Sequence, residues 1–143
     1  MKLTKVVDAP AAFMFAQLMK SAINDIKGAT GVLLEIPQLE GYEYNKIFSK
    51  KHRGKITILK VVENELYQFR TQTQIREFDT TYRLTPKSKE QCEIFIQESV
   101  VTRGVMLKYN DIIMEVIMGR AKKKYFRETM VAIAGTYVET LGG

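Results

Sequence analysis

The chain has one cysteine, one histidine and three prolines in 143 residues. A lone Cys92 can form no internal disulfide, which fits a reducing compartment. Zinc sites take three or four clustered ligands, commonly at short fixed spacings. One His and one Cys far apart in sequence do not supply them, so no metal is expected. His52, in Lys51-His52-Arg53-Gly54, reads as a solvated turn residue, and imidazole acid–base catalysis would rest on it alone. The longest apolar run, residues 9–16, contains Pro10 and falls far short of the ~20 residues of a membrane span. Asp8 interrupts the opening segment, which does not read as a signal peptide. A cytoplasmic protein is expected. No linker, repeat or low-complexity stretch divides the chain, so one domain over residues 1–143 is expected. That length can bury a core without disulfides or metals. Gly28-Ala29-Thr30-Gly31 lacks the strand-to-helix setting of a phosphate loop and reads as a helix terminator. No catalytic residue and no cofactor is expected.

What is present is an ordered series of periodic segments. Residues 2–7 read as a short first strand. Asp8 and Pro10 mark a helix start, with Asp8 as cap. Ala12, Phe15, Ala16, Met19, Ile23 and Ile26 follow at helical spacing, opposite Gln17, Lys20 and Asn24. Residues 32–41 read as a loop or short irregular helix around Pro37. Strands are expected at 42–50, 55–62, 66–75, 78–84 and 91–101, with turns at 51–54, 63–65 and 86–90. Residues 107–140 read as a closing helix. Its apolar stripe at Tyr109, Ile112, Ile113, Val116 and Ile117 is rotated away from that at Phe126, Met130, Ile133, Ala134 and Tyr137. A break or kink near Gly119 would reconcile the two.

Strand, helix, a run of antiparallel strands and a long closing helix is an order few small folds share. The segment Val7-Asp8-Ala9-Pro10-Ala11-Ala12-Phe13, and Gly119-Arg120-Ala121 with the basic-apolar helix behind it, resemble the START-like (SRPBCC) superfamily, and within it a group of short bacterial proteins of unknown function. The resemblance covers nearly the whole chain. It implies an α+β helix-grip fold, with a curved antiparallel sheet around the C-terminal helix and often an apolar pocket. Members bind lipids, polyketides, plant hormones or aromatic compounds, and some are cyclases or chaperone activators. No invariant catalytic set carries over.

Several residues could serve such a pocket. Thr71, Thr73, Thr80 and Tyr82 bring hydroxyls onto strand faces that also carry Phe69, Ile75 and Phe78. A mostly apolar pocket with a few placed polar groups is the usual small-molecule site. The plainer reading is that threonine favours strands and tyrosine fills cores. Glu98 shares strand parity with Ile94, Ile96 and Val100, and is a candidate ligand contact or proton carrier if it points inward; a bulge would turn it outward. Cys92, on the apolar strand face, reads as a core residue. The expected ligand-binding set is Phe69, Thr71, Thr73, Tyr82 and Glu98, with Ile113 and Ile117 near the rim, around a small hydrophobic or amphipathic molecule. A net charge of +6 permits anionic partners. Arg120, Lys123, Lys124 and Arg127 form an alternative patch for an acidic partner, or else a solvated helix face. The alternative function is thus a protein- or nucleic-acid-interaction module on this face, with nucleic acid the less expected of the two, because no recognition fingerprint accompanies the charge.

Overall fold

The computed structural model describes the backbone of residues 1–50, 52–74, 76–101 and 109–142, and side chains up to residue 100, except 51 and 75, and over 119–137. The elements run β1 (Lys2–Val7), α1 (Ala11–Thr30), a 3-10 turn (Ile36–Gln38), β2 (Glu43–Ser49), β3 (His52–Val62), β4 (Leu66–Thr73), β5 (Glu77–Ser88), β6 (Gln91–Val101) and α2 (Tyr109–Gly142). The strands form one sheet in the order β1-β6-β5-β4-β3-β2, and every neighbouring pair is antiparallel. This is the curved α+β helix-grip architecture.

Alternation along the strands sets the two faces of the sheet. On β4, Tyr67, Phe69 and Thr71 turn inward. Gln68, Arg70 and Gln72 turn outward and meet cross-strand partners on β5: Thr81, Asp79 and Glu77. Arg70 grips Asp79 with two parallel bonds of 2.7 and 3.0 Å. Irregularities at Ile47/Ser49, Ile58/Lys60 and Pro86/Ser88 bend the sheet, as bulges do.

Local boundaries depart from expectation in instructive ways. Asp8 does not cap α1. Pro10 holds the N-cap position, and the Asp8 carboxylate accepts a 2.8 Å bond from Gln91 of β6. The buried stripe of α1 is Ala11, Met14, Phe15, Leu18, Met19, Ala22 and Ile26. Ala12 and Ala16 face solvent, because the helix rolls to bury Met14 and Leu18 instead of the smaller alanines. The hairpin after β2 is tighter than expected. Ser49 pairs directly with His52, so His52, Arg53 and Gly54 belong to β3. Pro86 lies within β5, past Arg83 where the β4 ladder ends, so its missing N–H disturbs one side only. The closing helix runs through Gly119 without interruption, so of the expected break or kink there is no break.

The core fills the angle between sheet and helices. Met14, Met19 and Ile26 of α1 and Ile94 and Ile96 of β6 are fully buried, joined by Met130 of α2. Phe13 and Tyr137 meet at 5.1 Å and close one end of the layer between the two helices.

Candidate functional site

Away from the Phe13–Tyr137 contact, the helices leave a cavity of about 660 Å³ over the inner face of β2–β6. Register explains its floor. Tyr67 pairs with Tyr82, Phe69 with Thr80, and Thr71 with Phe78. Each phenylalanine thus stands opposite a threonine, in a two-by-two checkerboard. The small threonines leave room that four large rings would fill. The Tyr67 and Tyr82 rings lie 6.0 Å apart and nearly parallel, at 14°. Phe126 of α2 meets Tyr82 edge-on at 6.3 Å.

Two carboxylates mark the sides. Asp25 of α1 accepts a 2.5 Å bond from the Tyr44 hydroxyl and a 2.6 Å bond from Lys46. Glu98 of β6 points inward and pairs with Lys122 of α2. Lys122 also lies 5.5 Å from the centre of the Phe78 ring. Burial pushes the Tyr67 phenol well above its ordinary range, aided by the nearby Tyr82 and Asp25. Tyr82 shifts the same way, through burial first and then Tyr125 and Glu98. Both remain neutral donors at physiological pH.

A second space of about 910 Å³ adjoins the first and shares Asn24, Asp25 and Lys46. It is larger, but polar side chains make up much of its lining, among them the exposed Arg53 and Gln74. The inner cavity has the buried apolar surface that a ligand would desolvate.

Of the expected residues, Phe69, Thr71, Tyr82 and Glu98 line the inner cavity. Thr73 does not. It borders the outer space, and its hydroxyl is bound into the β4–β5 turn through Arg76. The side chains of Ile113 and Ile117 lie outside the described residues. Arg120, Lys124 and Arg127 are exposed and Lys123 is half-buried, all on α2 and none lining the cavity. Cys92 is fully buried, and burial pushes its thiol up. His52 is exposed. The expected set omitted Tyr67, Asp25, Tyr44 and Lys122. Lys122 had a legible signal: it stands four residues before Phe126 and eight before Met130, on the buried stripe of α2. Among the described residues, no three of His, Cys, Asp and Glu come together as a metal set, and no helix is long and apolar enough to cross a membrane.

Comparison with solved structures finds similar folds at low identity. Ara h 8.0201 aligns over 98% of this chain and 97% of its own, at 12% identity and a TM-score of 0.63. The Zhui aromatase/cyclase from Streptomyces sp. R1128 aligns over 100% and 97%, at 12% identity and a TM-score of 0.59. Norcoclaurine synthase from Thalictrum flavum aligns over 97% and 86%, at 15% identity and a TM-score of 0.60. At such identities the likeness shows the fold alone. Comparison with curated proteins finds no match. The sequence profile described as "Domain of unknown function (DUF3284)" matches residues 1–119, and the chain therefore belongs to that family, built on the START-like helix-grip fold.

Proposed function

We propose that residues 1–143 form a single START-like domain whose work is to hold a small hydrophobic or amphipathic molecule between the sheet and the closing helix. The observation that carries this reading is the cavity of about 660 Å³, walled by Leu18, Ile56, Phe69 and Met130 and studded with buried hydroxyls. A cavity this large, with mixed apolar and polar lining, has the volume and chemistry of a ligand site. The fold relative from Thalictrum flavum is seen in complex with dopamine and hydroxybenzaldehyde, which supports a small-molecule reading.

The test is thermal denaturation of the full chain against fatty acids, sterols and aromatic ketones, with native mass spectrometry of the freshly purified protein. A binder at a hundred times its Kd stabilises by ~2.7 kcal/mol. Thr80→Phe, which fills the checkerboard, should abolish the shift. No shift across the panel, together with a bare protein mass, would sink the reading.

A second reading rests on spacing. Arg120, Lys123, Lys124 and Arg127 fall at i, i+3, i+4 and i+7, one stripe of α2, and three of the four are exposed. Such a stripe suits an acidic protein partner. Reversing Arg120, Lys124 and Arg127 to glutamate should then abolish capture of that partner and leave ligand binding intact. Unchanged capture would count against it.

A further inference from the structure

Four hydroxyl-bearing residues on the cavity floor are buried to better than nine-tenths: Thr71 at 4% exposure, Thr80 at 3%, Tyr67 at 8% and Tyr82 at 9%. Among the described residues none of the four side chains has a hydrogen-bond partner within the protein. The outer face of the same strands behaves differently, with Gln68, Arg70 and Gln72 all paired. The nearby carboxylates are engaged: Asp25 holds Tyr44 and Lys46, and Glu98 holds Lys122. A buried hydroxyl left unpaired costs about 1–3 kcal/mol, so a concentration of them on one inner face calls for an outside partner.

The chemistry of that partner follows. Each hydroxyl carries one proton that needs an acceptor. Among the described residues both carboxylates are already balanced by a lysine and no spare cation lines the cavity, so a charged group would be buried unpaired. Phe69, Phe78 and Phe126, with the near-parallel Tyr67 and Tyr82, offer ring faces and edges to a flat molecule. We infer that the cavity selects a neutral aromatic molecule bearing carbonyl oxygen, which accepts hydrogen bonds from the hydroxyls of Tyr67, Tyr82, Thr71 and Thr80. This rests on the small-molecule reading above and names its ligand class.

The experiment compares three probes of similar size on the full chain at neutral pH by calorimetry: 2-acetylnaphthalene, 2-ethylnaphthalene and 2-naphthoate. The ketone should bind about tenfold more tightly than the hydrocarbon, the ratio expected of one net hydrogen bond. The carboxylate should bind most weakly. Tyr67→Phe/Tyr82→Phe and, separately, Thr71→Val/Thr80→Val should each reduce the ketone's advantage, read as the ratio of ketone to hydrocarbon Kd within the same variant; an unchanged ratio in both variants would overturn the assigned donors. Equal affinity for ketone and hydrocarbon in the unaltered protein overturns the inference and leaves the small-molecule reading standing; it would mean that water satisfies the hydroxyls. Tightest binding of the carboxylate overturns the requirement for neutrality. Binding of no probe, with no response to the broader panel, overturns both.

Discussion

Glu98 of β6 and Lys122 of α2 form an ion pair that ties the sheet to the closing helix at the side of the cavity. The partners are unequally buried, with side-chain exposures of 11% and 41%. Losing either one therefore has a different cost. In Lys122→Met the Glu98 carboxylate is left nearly enclosed without a counter-charge, and destabilisation of about 1–3 kcal/mol is expected. In Glu98→Gln the freed ammonium can reach water along its flexible stem, and the loss should stay below ~1 kcal/mol. Urea unfolding of both variants checks the order; a larger loss for Glu98→Gln would contradict it.

Asp25 fastens α1 to β2 by receiving both Tyr44 and Lys46. Asp25→Ala leaves the buried Tyr44 hydroxyl without its acceptor, and a loss of about 1–2 kcal/mol is expected. Adding Tyr44→Phe removes the stranded group, so the double variant should be less than additive. Strict additivity in a double-mutant cycle would show that the two do not interact.

Alkaline pH offers a test of the buried phenols. Tyr44, Tyr67 and Tyr82 all have pKa values raised above the ordinary tyrosine value, chiefly by burial. The folded chain keeps these protons where the unfolded chain would release them. The stabilisation is fully present below about pH 10, the value for free tyrosine, and is lost as pH climbs beyond it toward the raised values. Tyrosinate absorbance should therefore show part of the seven tyrosines ionising only with unfolding. In Tyr67→Phe/Tyr82→Phe the fall in stability above pH 10 should be shallower. An unchanged slope would rule out these two as its source.

Gly54 of β3 sits where strand and ring close in. A Cβ there would stand 2.6 Å from the Gln72 carbonyl oxygen and 2.7 Å from Cε2 of Phe48. The ring can swing aside, but the carbonyl belongs to β4 and cannot. Gly54→Ala should cost about 1–3 kcal/mol by overpacking. Adding Phe48→Ala should recover only part of it, measured as a midpoint shift in denaturant.

Much of the lining of the candidate site was legible before the fold was known, for a definite reason. Phe69, Thr71 and Tyr82 share strand faces by a two-residue period, and parity survives whatever the strands pair with. Parity also put Glu98 with Ile94 and Ile96, but left open whether a bulge intervened; the irregularities of the sheet fall elsewhere, and Glu98 stays inward. Thr73 has the same parity and still misses the cavity, because the turn at Arg76 captures its hydroxyl. Asp25 and Tyr44 lie 19 residues apart on different elements, so no local period relates them.

The linear chain by itself determined the order of elements, the residues that share a face along β4, β5 and β6, and the scarcity of cysteine and histidine, since these depend on composition and on periods of two and 3.6 residues. Only the tertiary structure decided that phenylalanine faces threonine across β4 and β5, that Lys122 of the Lys122-Lys123-Lys124 run reaches Glu98, and that, among the described residues, four hydroxyls remain without protein partners. Those facts arise from strand register and helix rotation, which are fixed by packing among distant segments.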